Sequence, residues 1–399
     1  MKILFISHKY PPTIGGMEKQ CFELIRGVEK EHEVYKVVFD ATQENRIQFF
    51  FKLKKRVKKI LRAQPDIDII HLNDGLMAYF GIWLQKYTNI PVFVTYHGLD
   101  VVFPNSIYQQ KVIPKYHRYA GGICVSAATA EACVTRGFSA EKIYVVPNGV
   151  DAEIANLEVN ISEIVEEFRA KYDIDLSEKK IIISLGRPVK RKGFSWFIES
   201  VVSQLNEDIL YIIVGPNKSN LRIPLWRKIL PKRWVDEIDL FLGASSDEQR
   251  INEFLQKNEY KNRVIQTGAL PYKKMMSLLT LADIFVMPNI RIKGDAEGFG
   301  LVALEATLRQ TPVLASGIEG ITEAIKDEKN GYLLPSENAE IWTKKIHELL
   351  ENPKQLTQKG EEFQQFTLEN YSWKKMADGY IETFKKIIEA TRNPLTRNS

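Results

Sequence analysis

Short apolar runs alternate with longer segments of mixed polarity along the whole chain, and the alternation happens twice. In the first half, Ile- and Val-rich runs at 3–7, 34–39, 67–72, 92–97, 122–126 and 142–147 read as strands. The first two are separated by Met17, Cys21, Leu24, Ile25 and Val28, which recur at helical spacing. A second series begins at 180–186 and continues at 210–214, 264–267, 284–288, 312–315 and 332–334. Strands that are apolar throughout, bounded by Gly or Pro and separated by helices, predict parallel sheets covered on both faces. Two such series predict an α/β chain of two doubly wound, Rossmann-like domains, with ligands at the carboxyl ends of the strands. Met376, Tyr380, Phe384, Ile387 and Ile388 then mark one face of a closing helix. The expected division is 1–152, 153–372 and a C-terminal helix at 373–392.

At 399 residues the chain exceeds one ordinary core, in keeping with two domains. A hydrophobic content of 44% and a charged content of 26% describe a globular protein. No apolar run reaches the length of a membrane span, and the first apolar segment is too short for a signal peptide. Cys21, Cys124 and Cys133 are odd in number and lack metal-ligand spacing, so buried thiols in a cytoplasmic protein are expected. No cluster of His, Asp and Glu has metal-binding spacing, so neither a metal nor another cofactor is expected. Nucleic acid is not an expected partner.

The candidate chemistry lies at strand ends. Residues 294–306 read Gly-Asp-Ala-Glu-Gly-Phe-Gly-Leu-Val-Ala-Leu-Glu-Ala. The Gly-Phe-Gly turn predicts backbone N–H groups left for an anion at a helix N-terminus. Glu297 precedes that turn and Glu305 lies two turns into the helix, a spacing suited to a sugar, a diphosphate and a ribose in line. Arg187 and Lys192 follow the first strand of the second series, where two cations suit a diphosphate. After the first strand, Gly15 and Gly16 open a helix from a Pro-rich loop and let backbone N–H groups approach a ligand. His97 ends a strand just before Gly98.

Taken in order, these motifs resemble the family-4 retaining glycosyltransferases of the GT-B fold, over almost the whole chain. The resemblance is carried by Pro11-Pro-x-x-Gly-Gly-x-Glu18, His97-Gly-x-Asp100, Val146-Pro-Asn-Gly-Val-Asp151, Gly186-Arg-x-x-x-x-Lys-Gly193, Val214-Gly-Pro and Glu297-Gly-Phe-Gly-x-x-x-x-Glu-Ala306. It implies an acceptor-binding first domain, a second domain binding a nucleotide-sugar, and a C-terminal helix that crosses back to the first. It also implies roles. Gly16 would meet the donor phosphate, and Arg187 and Lys192 would hold the diphosphate. Glu297 would bind hydroxyls of the transferred sugar beside the amides of Phe299, Gly300 and Leu301. Glu305 would bind the ribose, and His97 would stand near the reacting centre. The expected reaction moves a hexose from a UDP- or GDP-sugar to a glycan or lipid-linked acceptor of the cell envelope, without metal. Two alternatives stand beside it: a nucleotide-sugar 2-epimerase of the same fold, and an inactive nucleotide-sugar-binding protein.

The net charge of +5 is unevenly spread. Residues 46–62 hold eight basic residues and no acid, and Ile47, Phe50, Leu53, Val57, Ile60 and Leu61 lie at helical spacing within them. A basic and aromatic stretch follows at 221–234, with Trp226 and Trp234 among cations. Together they predict docking to an anionic membrane surface, on the inner face of the plasma membrane.

Overall fold

A computed structural model of the chain describes residues 1–216 and 246–392; the basic and aromatic stretch at 221–234 lies outside them. The chain divides into two compact units. One contains Met1–Val150, Glu297–Phe299 and the segment from Tyr371 onward; the other contains Asp151–Ala296 and Gly300–Asn370.

The first unit is built on six parallel strands: β1 (Lys2–Ser7), β2 (Glu33–Val38), β3 (Ile69–Leu72), β4 (Val92–Tyr96), β5 (Gly121–Cys124) and β6 (Ile143–Val145). Their order is β2-β1-β3-β4-β5-β6, so the chain reverses its direction of travel between β1 and β3. Helices α1 (Gly16–Val28), α2 (Arg46–Ala63), α3 (Gly75–Gly81) and α4 (Leu84–Tyr87) follow the first three strands. Each strand expected from the apolar runs is present, its ends shifted by a residue or two.

Helix α2 starts where Asn45 accepts a hydrogen bond from the Gln48 amide, satisfying one of the first-turn donors. Its buried face is Phe49, Leu53 and Val57, packed in one core with Leu4, Ile6 and Val37. Of the face expected from the sequence, Leu53 and Val57 are core and Phe50, Ile60 and Leu61 pack against it; Ile47 alone departs, 69% exposed, and Phe49 is buried in addition.

The C-terminal helix Trp373–Arg392 completes this unit. Met376, Tyr380, Phe384, Ile387 and Ile388 are all buried, as their spacing predicts. Phe384 packs among Phe5, His71 and Phe93. The Tyr380 hydroxyl stands 3.0 Å from Thr95 Oγ1 and accepts from Gln20 Nε2 at 3.2 Å. At the start of the helix, the Ser372–Trp373 backbone lies so close to Gly149 that an added methyl there would overlap it.

His71 shares this layer, wholly buried, with Nε2 2.8 Å from Thr95 Oγ1. Burial, and then the charge of His97, hold its imidazole down to about 3 against an ordinary 6.5. The unfolded chain therefore takes up a proton near pH 6.5 that the folded chain refuses. The stabilising preference for the neutral ring is whole above pH 6.5 and is lost as pH falls toward 3, by up to about 1.4 kcal/mol per pH unit. Urea midpoints for this unit should fall steadily between pH 6.5 and 4, and His71→Asn should flatten that slope. A slope unchanged by the substitution would contradict this account.

The second unit repeats the plan with β7 (Lys180–Leu185), β8 (Ile209–Val214), β9 (Val264–Gly268), β10 (Ile284–Met287), β11 (Val313–Ser316) and β12 (Tyr332–Leu334), all parallel. The order is β12-β11-β10-β7-β8-β9, with the reversal between β7 and β10. Ile182, Tyr211, Ile213, Val286 and Leu314 of the sheet pack with Phe197, Trp342 and Phe363 of the covering helices.

Candidate active site

In the second unit, β7 runs out at Leu185 and the chain turns through Gly186 (φ +136°) into an exposed Arg187. A single 3-10 turn, Lys190–Lys192, ends at Gly193, whose left-handed backbone (φ +67°) lies against the Pro288 carbonyl. The three cations of this turn have different environments. Lys190 is exposed, and Arg191 stands 3.7 Å from Asp295. Lys192 is only 8% exposed, and its Cε would be 3.5 Å from a methyl placed on Gly186.

Across the reversal point, helix Leu301–Leu308 begins at Gly300, left-handed at φ +101°, with no side chain capping it. Gly300 abuts Met287, whose Sδ would lie 3.3 Å from an added methyl. The Lys192–Gly193 turn and the tip of this helix thus rest on consecutive residues, Met287 and Pro288, at the carboxyl end of β10. β7 and β10 are neighbours where the strand order reverses, the place at which open α/β sheets take their ligands. A buried lysine after one of these strands and an uncapped helix N-terminus after the other each attract an anion, the first through charge and the second through its first-turn N–H groups.

Phe299 is buried with its ring 6.3 Å from that of Tyr371, and Leu301 and Glu305 are half-buried. The Tyr272 hydroxyl is pushed up by burial first and then by the charge of Glu305. Tyr272, 44% exposed, is therefore a neighbour of Glu305 that the motif alone did not reveal.

In the first unit, Gly15 caps α1 in an extended conformation and Gly16 is its first residue. Glu18, in the first turn, folds its carboxylate back onto Gly15, and Lys9 Nζ lies 3.3 Å from it. A phosphate approaching Gly16 would meet that carboxylate unless Glu18 swings away. His97 is half-buried, and its Nε2–H donates to the Asn73 carbonyl at 2.9 Å. When the ring is neutral, that bond makes Nδ1 the acceptor. Asp100 accepts from the amides of His97 (2.9 Å) and Gly75 (3.0 Å), joining the ends of β3 and β4. In the same unit the Gly298 backbone lies against the His97 carbonyl, with no room for a methyl. Glu297 is half-buried.

Sequence reasoning missed a second polar pair here. His8 and Asp74 are both buried, with Nδ1 3.0 Å from Oδ2 but out of hydrogen-bond alignment. Burial pushes the Asp74 carboxyl up, but His8 and the Met77 amide more than offset it, leaving it below the ordinary range. The available signal was position alone: each residue follows a strand flanking the β1/β3 reversal. Among the described residues, no group of three or more His, Cys, Asp or Glu side chains is placed to hold a metal ion.

Known proteins share this architecture. The structure of Anabaena HepE, solved in complex with UDP and also with UDP-glucose, superposes with a TM-score of 0.70 in the UDP form. The match is 17% identical and covers 97% of this chain and 100% of that one. An uncharacterised glycosyltransferase of Methanocaldococcus jannaschii is 20% identical over 98% of this chain and 99% of its own length. The D-inositol 3-phosphate glycosyltransferase of Corynebacterium urealyticum is 25% identical over 80% of this chain and 72% of its own. Two six-stranded parallel sheets of this order define the GT-B class of glycosyltransferase. Within that class the chain belongs to the glycosyl transferases group 1, whose family model matches residues 165–366; the glycosyltransferase family 4 model matches residues 14–154.

Proposed function

We propose that this glycosyltransferase moves a hexose from a UDP- or GDP-sugar to a glycan or lipid-linked acceptor in cell-envelope polysaccharide or glycolipid synthesis, retaining the anomeric configuration and needing no metal. The observation that carries the donor reading is that buried Lys192 follows β7 and the uncapped helix Leu301–Leu308 follows β10, the two neighbouring strands at the reversal of strand order. A nucleoside diphosphate has the charge and length for that place, and the UDP-glucose complex of HepE supports the same class of donor.

The chemistry follows from charge. When the bond between the anomeric carbon and the β-phosphate oxygen breaks, negative charge grows on the phosphate. Lys192, Arg187 and the amides of the helix tip neutralise it. The acceptor oxygen bonds to the anomeric carbon from the face the phosphate leaves, and the departing phosphate takes the acceptor proton. The products are the glycosylated acceptor and a nucleoside diphosphate. Glu305 holds the ribose hydroxyls; Glu297 and His97 serve the transferred sugar. The two glutamates are binding groups and do not form the acid and nucleophile pair of a glycoside hydrolase.

A thermal-shift panel of UDP, GDP, ADP and their sugars tests the donor, since a bound ligand raises apparent stability by mass action. One diphosphate should shift the melting temperature well beyond the others. Glu305→Ala should weaken that nucleotide about tenfold or more, roughly the value of a charge-assisted hydrogen bond. Glu297→Ala should leave nucleotide affinity nearly intact and slow transfer. Equal, negligible effects from both would remove the assignment. Conversion of UDP-N-acetylglucosamine alone to its 2-epimer would point to an isomerase instead.

A further inference from the structure

We infer that the outer stripe of α2, together with the aromatic edge of α3 and α4, docks onto the anionic face of a lipid bilayer. Ile47, Phe51, Lys54, Lys55, Lys58 and Arg62 fall at i, i+4, i+7, i+8, i+11 and i+15, which places them on one side of the helix. The stripe is apolar at its N-terminal end and cationic thereafter. Ile47 is 69% and Phe51 84% exposed, although α2 already fills its core contacts with Phe49, Leu53 and Val57. The two exposed side chains join Phe50 and Phe80, stacked at 4.5 Å, to line a depression of about 290 Å³. A single exposed Phe is unremarkable, but a contiguous apolar patch rimmed by cations marks an interaction surface.

Charge selects the occupant. Residues 46–63 contain no acid. Arg56 and Lys52 pair with Glu44 on another side of the helix, leaving the stripe itself wholly basic beyond Phe51. Lys54 and Lys58 stand over the Trp83 ring at 5.3 and 5.7 Å, and Lys58 lies 4.7 Å from that of Tyr87. Trp83 and Tyr87 therefore border the cations, with Tyr87 exposed. Apolar side chains to enter the acyl layer, cations for phosphate headgroups and Tyr/Trp rings between them are the three elements of an interfacial helix. Among the described residues no helix is long and apolar enough to cross a membrane, so this attachment is peripheral.

Vesicle flotation of the full chain tests the surface, using phosphatidylcholine with and without phosphatidylglycerol at low and high salt. Binding should require phosphatidylglycerol and weaken as salt rises. Ile47→Glu with Phe51→Glu, and separately Lys55→Glu with Arg62→Glu, should each lower the partition coefficient about tenfold or more. Circular dichroism and the unfolding midpoint, expected to stay unchanged, confirm that the variants fold. Equal binding to both vesicle types, or wild-type binding by either variant, overturns the inference. So does a wild-type dimer that Phe51→Glu splits, since a second copy would then cover the face. Failure here leaves sugar transfer to a soluble acceptor untouched, and failure of the donor assignment leaves vesicle binding untouched.

Discussion

Lys192→Met should lower kcat/KM for sugar transfer by roughly 10²–10³-fold, about the cost of removing one preorganised donor from a developing oxyanion. Methionine keeps an unbranched chain of similar length, so the turn between β7 and its helix should survive. What is lost is a charge that is already buried in the free protein and has no desolvation left to undergo when the donor arrives. The loss should fall mainly on kcat, because the charge on the β-phosphate grows as the sugar departs. Lys190→Met supplies the control: its side chain is exposed two residues away, and activity should stay within about twofold. Steady-state kinetics on both variants decide the matter, and similar rates from the two would dismiss Lys192 as a phosphate ligand.

Gly193→Ala should be among the most damaging small substitutions in the second unit. The residue is left-handed at φ +67°, and an added methyl would overlap the Pro288 carbonyl oxygen, which belongs to backbone and cannot rotate away. Left-handed strain in a non-glycine residue costs about 1–2 kcal/mol, and displacing the end of β10 adds to it. A total of about 2–3 kcal/mol would lower the melting temperature of this unit by roughly 5–10 °C. Activity should fall further than stability explains, because the same turn aims Lys192. A variant that melts like the wild type would show that the turn tolerates a Cβ.

The strands were legible because parallel strands buried on both faces leave continuous Ile/Val runs, and each run maps to a strand of one sheet or the other. The N-terminal turn of α2 was less so, although Leu53, Val57, Ile60 and Leu61 face the core as their spacing predicts. Phe49, Phe50 and Phe51 are consecutive and sweep about 200° of the helix, so any register looks apolar, and only packing picks Phe49 for the core. The three cations at 190–192 are likewise alike in sequence; the turn alone separates an exposed Lys190, an Arg191 beside Asp295 and a buried Lys192. The helix tip at Gly300 was readable, since glycine before an apolar helical run has few other uses. The His8–Asp74 contact was invisible, because residues that far apart meet only through the neighbouring of β1 and β3.

The closing helix carries a consequence for synthesis. Phe5, His71 and Phe93 are covered by Phe384, which leaves the ribosome long after the strands it shields. At ordinary translation rates the nascent sheet waits about 10–45 s for that cover. The second unit, whose strands and helices all emerge within that interval, can mature first, while the earlier-made half keeps that apolar layer uncovered until the last helix arrives.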